Sequence, residues 1–173
     1  VRTESELKSL FYQAYDNAKI SGFLARVAAL SETERRNLPG FLGEGSHFQS
    51  FEVAATPIHL AVSIAKGSFH KLGDAALRRW SEAMTLAKSL EQAVLVPPMD
   101  ILQQHGLMAI VMPKGQVVSR QGAKAVNTLL HETAKALGQA GLVLDDYPQI
   151  REAEGVPFIV DWSDLTFVRP AYR

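Results

Sequence analysis

The sequence predicts an α+β fold, an antiparallel sheet with helices before, within and after it, on three observations. Near the amino end apolar residues recur at three- and four-residue spacing, as the buried face of a helix requires. Two runs rich in β-branched and aromatic residues, 48–53 and 58–65, flank the turn signal Ala55-Thr56-Pro57 and read as paired strands. Two later stretches carry apolar stripes at helical period, each followed by a short extended segment.

Taken in order, residues 5–30 place Leu7, Leu10, Phe11, Ala14, Tyr15 and Ala18 on one helical face. Ser31-Glu32-Thr33-Glu34 offers an N-cap with acids in the first turn, and Pro39-Gly40 closes a helical extension spanning 1–40. After the paired strands, a helix is expected over about 71–90, with Leu72, Ala76, Trp80, Ala83, Met84 and Ala87 as its stripe. Residues 93–96 are expected to be extended and to stop at Pro97-Pro98, because proline cannot donate to a central ladder. The apolar run 107–112 suits a strand covered on both faces, closed by Pro113-Lys114-Gly115. A second long helix, 122–139, turns Val126, Leu129, Leu130, Thr133, Ala134 and Leu137 inward and ends near Gly141. Strands at 142–144 and 157–161 flank a polar stretch containing Glu154-Gly155. The sheet with its helix thus spans 41–112, and a reduced segment spans 113–173.

Composition narrows the function classes. Eighteen basic residues balance eighteen acidic ones, so no net field draws the chain to nucleic acid or an anionic membrane. The absence of cysteine removes disulfides, thiolate metal sites and thiol nucleophiles. No apolar run reaches a membrane span, and no basic-then-apolar secretory pattern opens the sequence. The expected setting is the cytoplasm, or export as an effector that lacks a signal peptide. The five histidines show no metal-ligand spacing with a nearby carboxylate.

Four segments hold the residues with chemistry. Gly43-Glu44-Gly45-Ser46-His47 is a loop whose backbone can approach an anion because glycine interposes no side chain. Lys66 ends the strand Ala61-Val62-Ser63-Ile64-Ala65, Met112 ends the apolar run at a hinge-like turn, and Asp161 follows Phe158-Ile159-Val160. From about residue 42 to 165, this order of elements and motifs resembles the protein kinase superfamily, closest to its small bacterial and aminoglycoside-type branches.

The resemblance implies a kinase-like antiparallel N-lobe, amino-terminal helices and a much reduced helical C-lobe, binding ATP and magnesium. Gly43, Gly45 and Ser46 would line the phosphate loop, and Lys66 would take the α- and β-phosphates, oriented by Glu82 on the following helix. The strand ending at Met112 would meet adenine through its backbone. Asp146 would be the base that orients the acceptor hydroxyl, and Asp161 would hold magnesium with Gln149 as a second oxygen ligand. The chain departs from the pattern at several places: Phe48 stands for the third glycine, Leu144 for the usual histidine, and Arg151 for the usual asparagine. Only 12 residues follow Asp161, so the activation segment and helical platform are not part of the match. A nucleotide is the implied ligand, with a protein or small-molecule hydroxyl as acceptor; nucleic acid and membrane are not expected as partners.

The same residues have plainer readings. The glycine pair could be a turn, Lys66 a solvated strand end, Asp145-Asp146 an acidic loop, and Asp161 a turn cap shared with Ser163 and Asp164. Trp80 and Trp162 read as core anchors. The competing class is a non-catalytic interaction module, kinase-like or winged-helix-like. In the winged-helix form, residues 107–160 form a small unit, and Arg120, Lys124, Lys135 and Arg151 contact phosphates.

Overall fold

The amino-terminal periodicity resolves into two helices rather than one: α1 (Glu4–Ala18) and α2 (Ile20–Ala28), separated by Lys19 in the left-handed region at φ 51°. The break resets the helical phase. α1 buries Leu7, Phe11 and Ala14, whereas α2 buries Ile20, Leu24 and Val27, which an unbroken helix would have turned partly outward. A short helix α3 (Glu32–Arg35) opens on the capping box expected at Ser31: Ser31 Oγ accepts from the Glu34 amide at 3.1 Å, and the Glu34 carboxylate accepts from the Ser31 amide at 3.0 Å. Arg35 is buried, and its Nε donates to the Val27 carbonyl at 3.0 Å near the end of α2.

The computed structural model describes residues 2–91 and 93–168, and it divides into two units. One unit is Ser5–Asp74 with Pro98–Lys114. It holds the three helices and a five-stranded antiparallel sheet: β1 (Phe41–Glu44), β2 (Phe48–Val53), β3 (Leu60–Ala65), β4 (Asp100–Gln104) and β5 (Leu107–Pro113), in the order β1-β2-β3-β5-β4. β3 is central, and its alternation buries Leu60, Val62 and Ile64. Phe51 on β2 is fully buried between the rings of Phe23 and Phe41, at centroid distances of 5.7 and 5.6 Å, so α2 and β1 close over the same face. The helical stretch read as an extension shares this core. A further short helix, α4 (Gly67–His70), follows β3 directly.

β4 replaces the strand expected at 93–96. Residues 93–96 instead form a turn, the Val96 amide donating to the Ala93 carbonyl at 3.1 Å. The strand beside β5 begins past both prolines, and the hairpin closes through His105 and Gly106 at φ 54° and 74°, both left-handed as a two-residue hairpin turn requires.

The second unit comprises the described residues of Val1–Glu4, Ala75–Pro97 and Gly115–Arg173. It contains α5 (Asp74–Lys88) and α6 (Arg120–Gln139), with β6 (Leu142–Leu144), β7 (Ile150–Ala153), β8 (Val156–Ile159) and β9 (Leu165–Phe167). α5 buries Trp80, Ala83, Met84 and Ala87. Leu72, expected in that stripe, precedes the helix and is 54% exposed, because Gly73 at φ 94° delays the start. α6 is capped by Ser119, whose Oγ accepts from the Gly122 amide at 3.1 Å, and is followed by Gly141 at φ 79°. β6 pairs with β9 and β7 with β8, both antiparallel. β7 and β9 occupy stretches the sequence leaves unassigned. Both tryptophans are core anchors: Trp80 Nε1 donates to the Trp162 carbonyl at 3.0 Å, and Trp162 Nε1 to the Ile159 carbonyl at 2.9 Å. The boundary at Lys114–Gly115 divides 107–160, the stretch read as winged-helix-like, between the two units.

Candidate functional site

Register brings the glycine turn to Lys66. β1 ends at Glu44, the chain turns through Gly45, Ser46 and His47, and β2 returns with Glu44 opposite Gln49 and Phe48 opposite Ala65 of β3. The Gly45 amide donates to the Phe48 carbonyl at 2.9 Å, and the Lys66 amide donates to the His47 carbonyl at 2.7 Å, so the turn and the end of β3 are laced together. Ser68 Oγ adds a bond to the Ser46 carbonyl at 2.6 Å.

Three side chains converge on Glu44. Lys66 Nζ lies 2.5 Å from Glu44 Oε2 and 3.2 Å from the Gly45 carbonyl. Arg36 forks onto the same carboxylate, Nε to Oε1 and Nη2 to Oε2, the latter at 3.1 Å. The buried Gln49 reaches Oε1 through Nε2 at 3.4 Å while bonding the Glu32 carbonyl at 2.9 Å. These donors hold the Glu44 carboxyl down at about 2, Arg36 contributing most and Lys66 next. Arg36 is in turn raised by its bond to Glu44. The Lys66 side chain is only 15% exposed, which sets aside the reading of a freely solvated strand end.

Gly43, Gly45, Ser46 and Lys66 thus assemble within one unit. Met112 stands on β5 of the same unit opposite Ala61, its side chain buried, and the Lys114 amide continues the ladder to the His59 carbonyl at 3.0 Å. Glu82 is exposed on α5 of the other unit, and the carboxylate found on Lys66 is Glu44. Sequence reasoning missed Arg36 and the role of Glu44. The available signal was an acid between two glycines, one hairpin away from a strand-end lysine.

In the second unit, the Val160 amide donates to the Gln149 carbonyl at 3.0 Å, extending the β7–β8 ladder one pair past Ile150 and Ile159. Gln149 and Asp161 therefore leave the same end of that hairpin. Asp146 is exposed on the loop that joins β6 to Gln149 and β7. Asp161 Oδ1 accepts from the Ser163 amide at 3.1 Å and from Ser163 Oγ at 2.8 Å, the turn cap that its spacing from Ser163 suggested. Beside this loop lies a groove of about 490 Å³ whose lining includes Leu130, Ala134, Leu142, Leu144, Tyr147 and Pro148. Leu130 and Ala134, expected inward on α6, line this opening. Among the described residues no three His, Asp or Glu side chains group as a metal site, and no helix is long and apolar enough to cross a membrane. No protein-family model and no curated protein matches the chain.

Proposed function

We propose that the protein binds Mg-ATP as a kinase-like nucleotide-binding protein, with phosphotransfer to a hydroxyl as its activity. The observation that carries this reading is the contact of Lys66 Nζ with the end of β1 and the turn after it, at the Glu44 carboxylate and the Gly45 carbonyl. Its chemistry is a cation beside a backbone turn that a phosphate can approach closely.

In the sheet unit, the Lys66 ammonium would hold phosphate oxygens beside the turn that follows β1, and the backbone near Met112 would meet adenine. Asp161 and the Gln149 amide oxygen, which leave one end of the β7–β8 hairpin, would supply oxygen ligands to magnesium, a hard cation that keeps water among its other ligands. Asp146 would accept the proton of an attacking hydroxyl as its oxygen bonds to the γ-phosphorus. The bond from that phosphorus to the β–γ bridging oxygen breaks, and ADP leaves with the electron pair. Catalysis of this kind is positioning and electrostatics rather than covalent chemistry.

A second reading, nucleotide binding without transfer, is favoured by Leu144 in place of a polar catalytic-loop side chain and by Asp161 Oδ1 already bonded to Ser163. Calorimetry with Mg-ATP on the wild type, Lys66→Ala and Asp161→Ala tests the binding, and phosphate release or transfer by Asp146→Asn tests the chemistry. Wild-type affinity in both of the first two variants would refute the site. Binding without turnover in the wild type would select the second reading.

A further inference from the structure

The cluster around Glu44 has the composition of an oxyanion receptor with an occupant already in it. Arg36 presents a planar fork to both oxygens of one carboxylate, Lys66 places an ammonium on Oε2, and Gln49 offers an amide N–H to Oε1. A guanidinium fork and an ammonium are the donors that phosphoryl oxygens take, with the same bidentate geometry as a carboxylate. The occupant is the last residue of β1, flanked by Gly43 and Gly45. Gly45 carries no side-chain obstruction, and a Cβ built there meets nothing within 4 Å.

We infer that Arg36 and Lys66 form a phosphoryl subsite that Glu44 fills in the free protein, and that a polyphosphate enters by exchanging with the Glu44 carboxylate. Arg36 is then a phosphate-binding residue outside the kinase-like motifs, and Glu44 a competitor rather than a ligand. The identity of the incoming polyphosphate as a nucleotide rests on the function proposed above; the exchange itself does not. Removing an acid from this turn should therefore strengthen anion binding far more than loss of a distant charge would.

The experiment has two arms on the full chain. In the first, Lys66 acetylation by an amine-reactive ester is followed by mass spectrometry against the exposed Lys71, in the wild type and in Glu44→Gln. In the second, inorganic tripolyphosphate and Mg-ATP are titrated calorimetrically into the wild type, Glu44→Gln, Glu44→Ser, Arg36→Ala and Glu44→Gln/Arg36→Ala. Lys66 should become several-fold more reactive in Glu44→Gln and be protected again by tripolyphosphate. Tripolyphosphate should bind roughly tenfold tighter to both Glu44 variants and roughly tenfold weaker to Arg36→Ala. Unchanged Lys66 reactivity, or unchanged or weaker tripolyphosphate affinity in both Glu44 variants, would overturn the exchange. Tripolyphosphate binding with no Mg-ATP binding would leave the subsite standing and remove the nucleotide reading. Failure of every variant to bind either anion would overturn both.

Discussion

Two glycines that bracket β1 separate a structural demand from a functional one. A Cβ added at Gly40 would stand 2.5 Å from the Glu52 carbonyl oxygen, and the Glu52 amide already donates to the Gly40 carbonyl at 2.7 Å. The obstacle is ladder backbone, so the clash cannot be relieved by turning a side chain. Gly40→Ala should cost about 1–3 kcal/mol, the range for forced overpacking. Gly45 has nothing within 4 Å of the built Cβ and no left-handed φ, so Gly45→Ala should leave the fold unchanged or stabilise it by about 0.4–1 kcal/mol through a less disordered unfolded chain. If phosphate oxygens come to this turn, the same methyl should weaken Mg-ATP or tripolyphosphate binding about tenfold, or roughly 1.4 kcal/mol. Urea denaturation reads the first quantity as a shift of the midpoint at constant slope, and calorimetry reads the second. A Gly45→Ala protein that is destabilised as much as Gly40→Ala would make the glycine pair structural. One that is stable and binds polyphosphate like the wild type would refute close backbone approach at Gly45.

Other consequences are testable on the fold alone. Thr133 Oγ1 accepts from the amide of the fully buried Leu95 at 3.1 Å and donates to the Leu129 carbonyl at 2.7 Å, so Thr133→Val should cost about 1–3 kcal/mol in denaturant by stranding a buried N–H. Tyr15 donates to Asp100 Oδ2 at 2.7 Å, and burial followed by that bond raises its ionisation well above the ordinary value of 10.0. Its contribution is therefore complete below pH 10 and is lost as pH rises beyond it, so Tyr15→Phe should flatten the alkaline limb of a stability–pH profile. Glu44 is depressed from 4.5 to about 2, so its contribution is present above pH 4.5 and is lost as pH falls toward 2; Glu44→Gln should remove that part of the acid transition.

Much of the fold is legible in the sequence where a local rule and the tertiary demand agree. Ser31 with Glu34 announces a helix start, Leu60, Val62 and Ile64 are buried in alternation because successive side chains of β3 point to opposite faces of the sheet, and Gly141 marks the end of α6 by adopting the conformation only glycine takes freely. The misses occur where the signal is carried by contacts instead. Lys19 turns left-handed with no glycine or proline to mark it, because the phase change between α1 and α2 buries Ile20, Leu24 and Val27. β7 escapes because all four of its residues are half-buried and show no alternation. Around Lys66, the glycine pair and the lysine could be singled out from the sequence, but the partner of Lys66 could not. The family pattern looks forward to a helix acid, whereas the carboxylate found lies 22 residues before Lys66 and depends on the β1–β2–β3 register.

The balanced composition bears on how such a subsite would work. With eighteen charges of each sign, no long-range field concentrates a polyanion near the protein, so affinity must come from groups within contact of it. Arg36, Lys66 and Glu44 interact at hydrogen-bond distance, well inside the screening length of about 8 Å at physiological salt. Salt therefore weakens the approach of a free polyphosphate more than the hold of the resident carboxylate, which is attached to the turn and loses no translational freedom on returning. Exchange should shift toward Glu44 as ionic strength rises. In the wild type salt also loosens the Glu44 pairing that the anion displaces, whereas Glu44→Gln presents Arg36 and Lys66 as two uncompensated cations, so tripolyphosphate affinity should fall more steeply with salt in Glu44→Gln than in the wild type. Equal slopes in the two proteins would mean that the anion binds beside Glu44 rather than in its place.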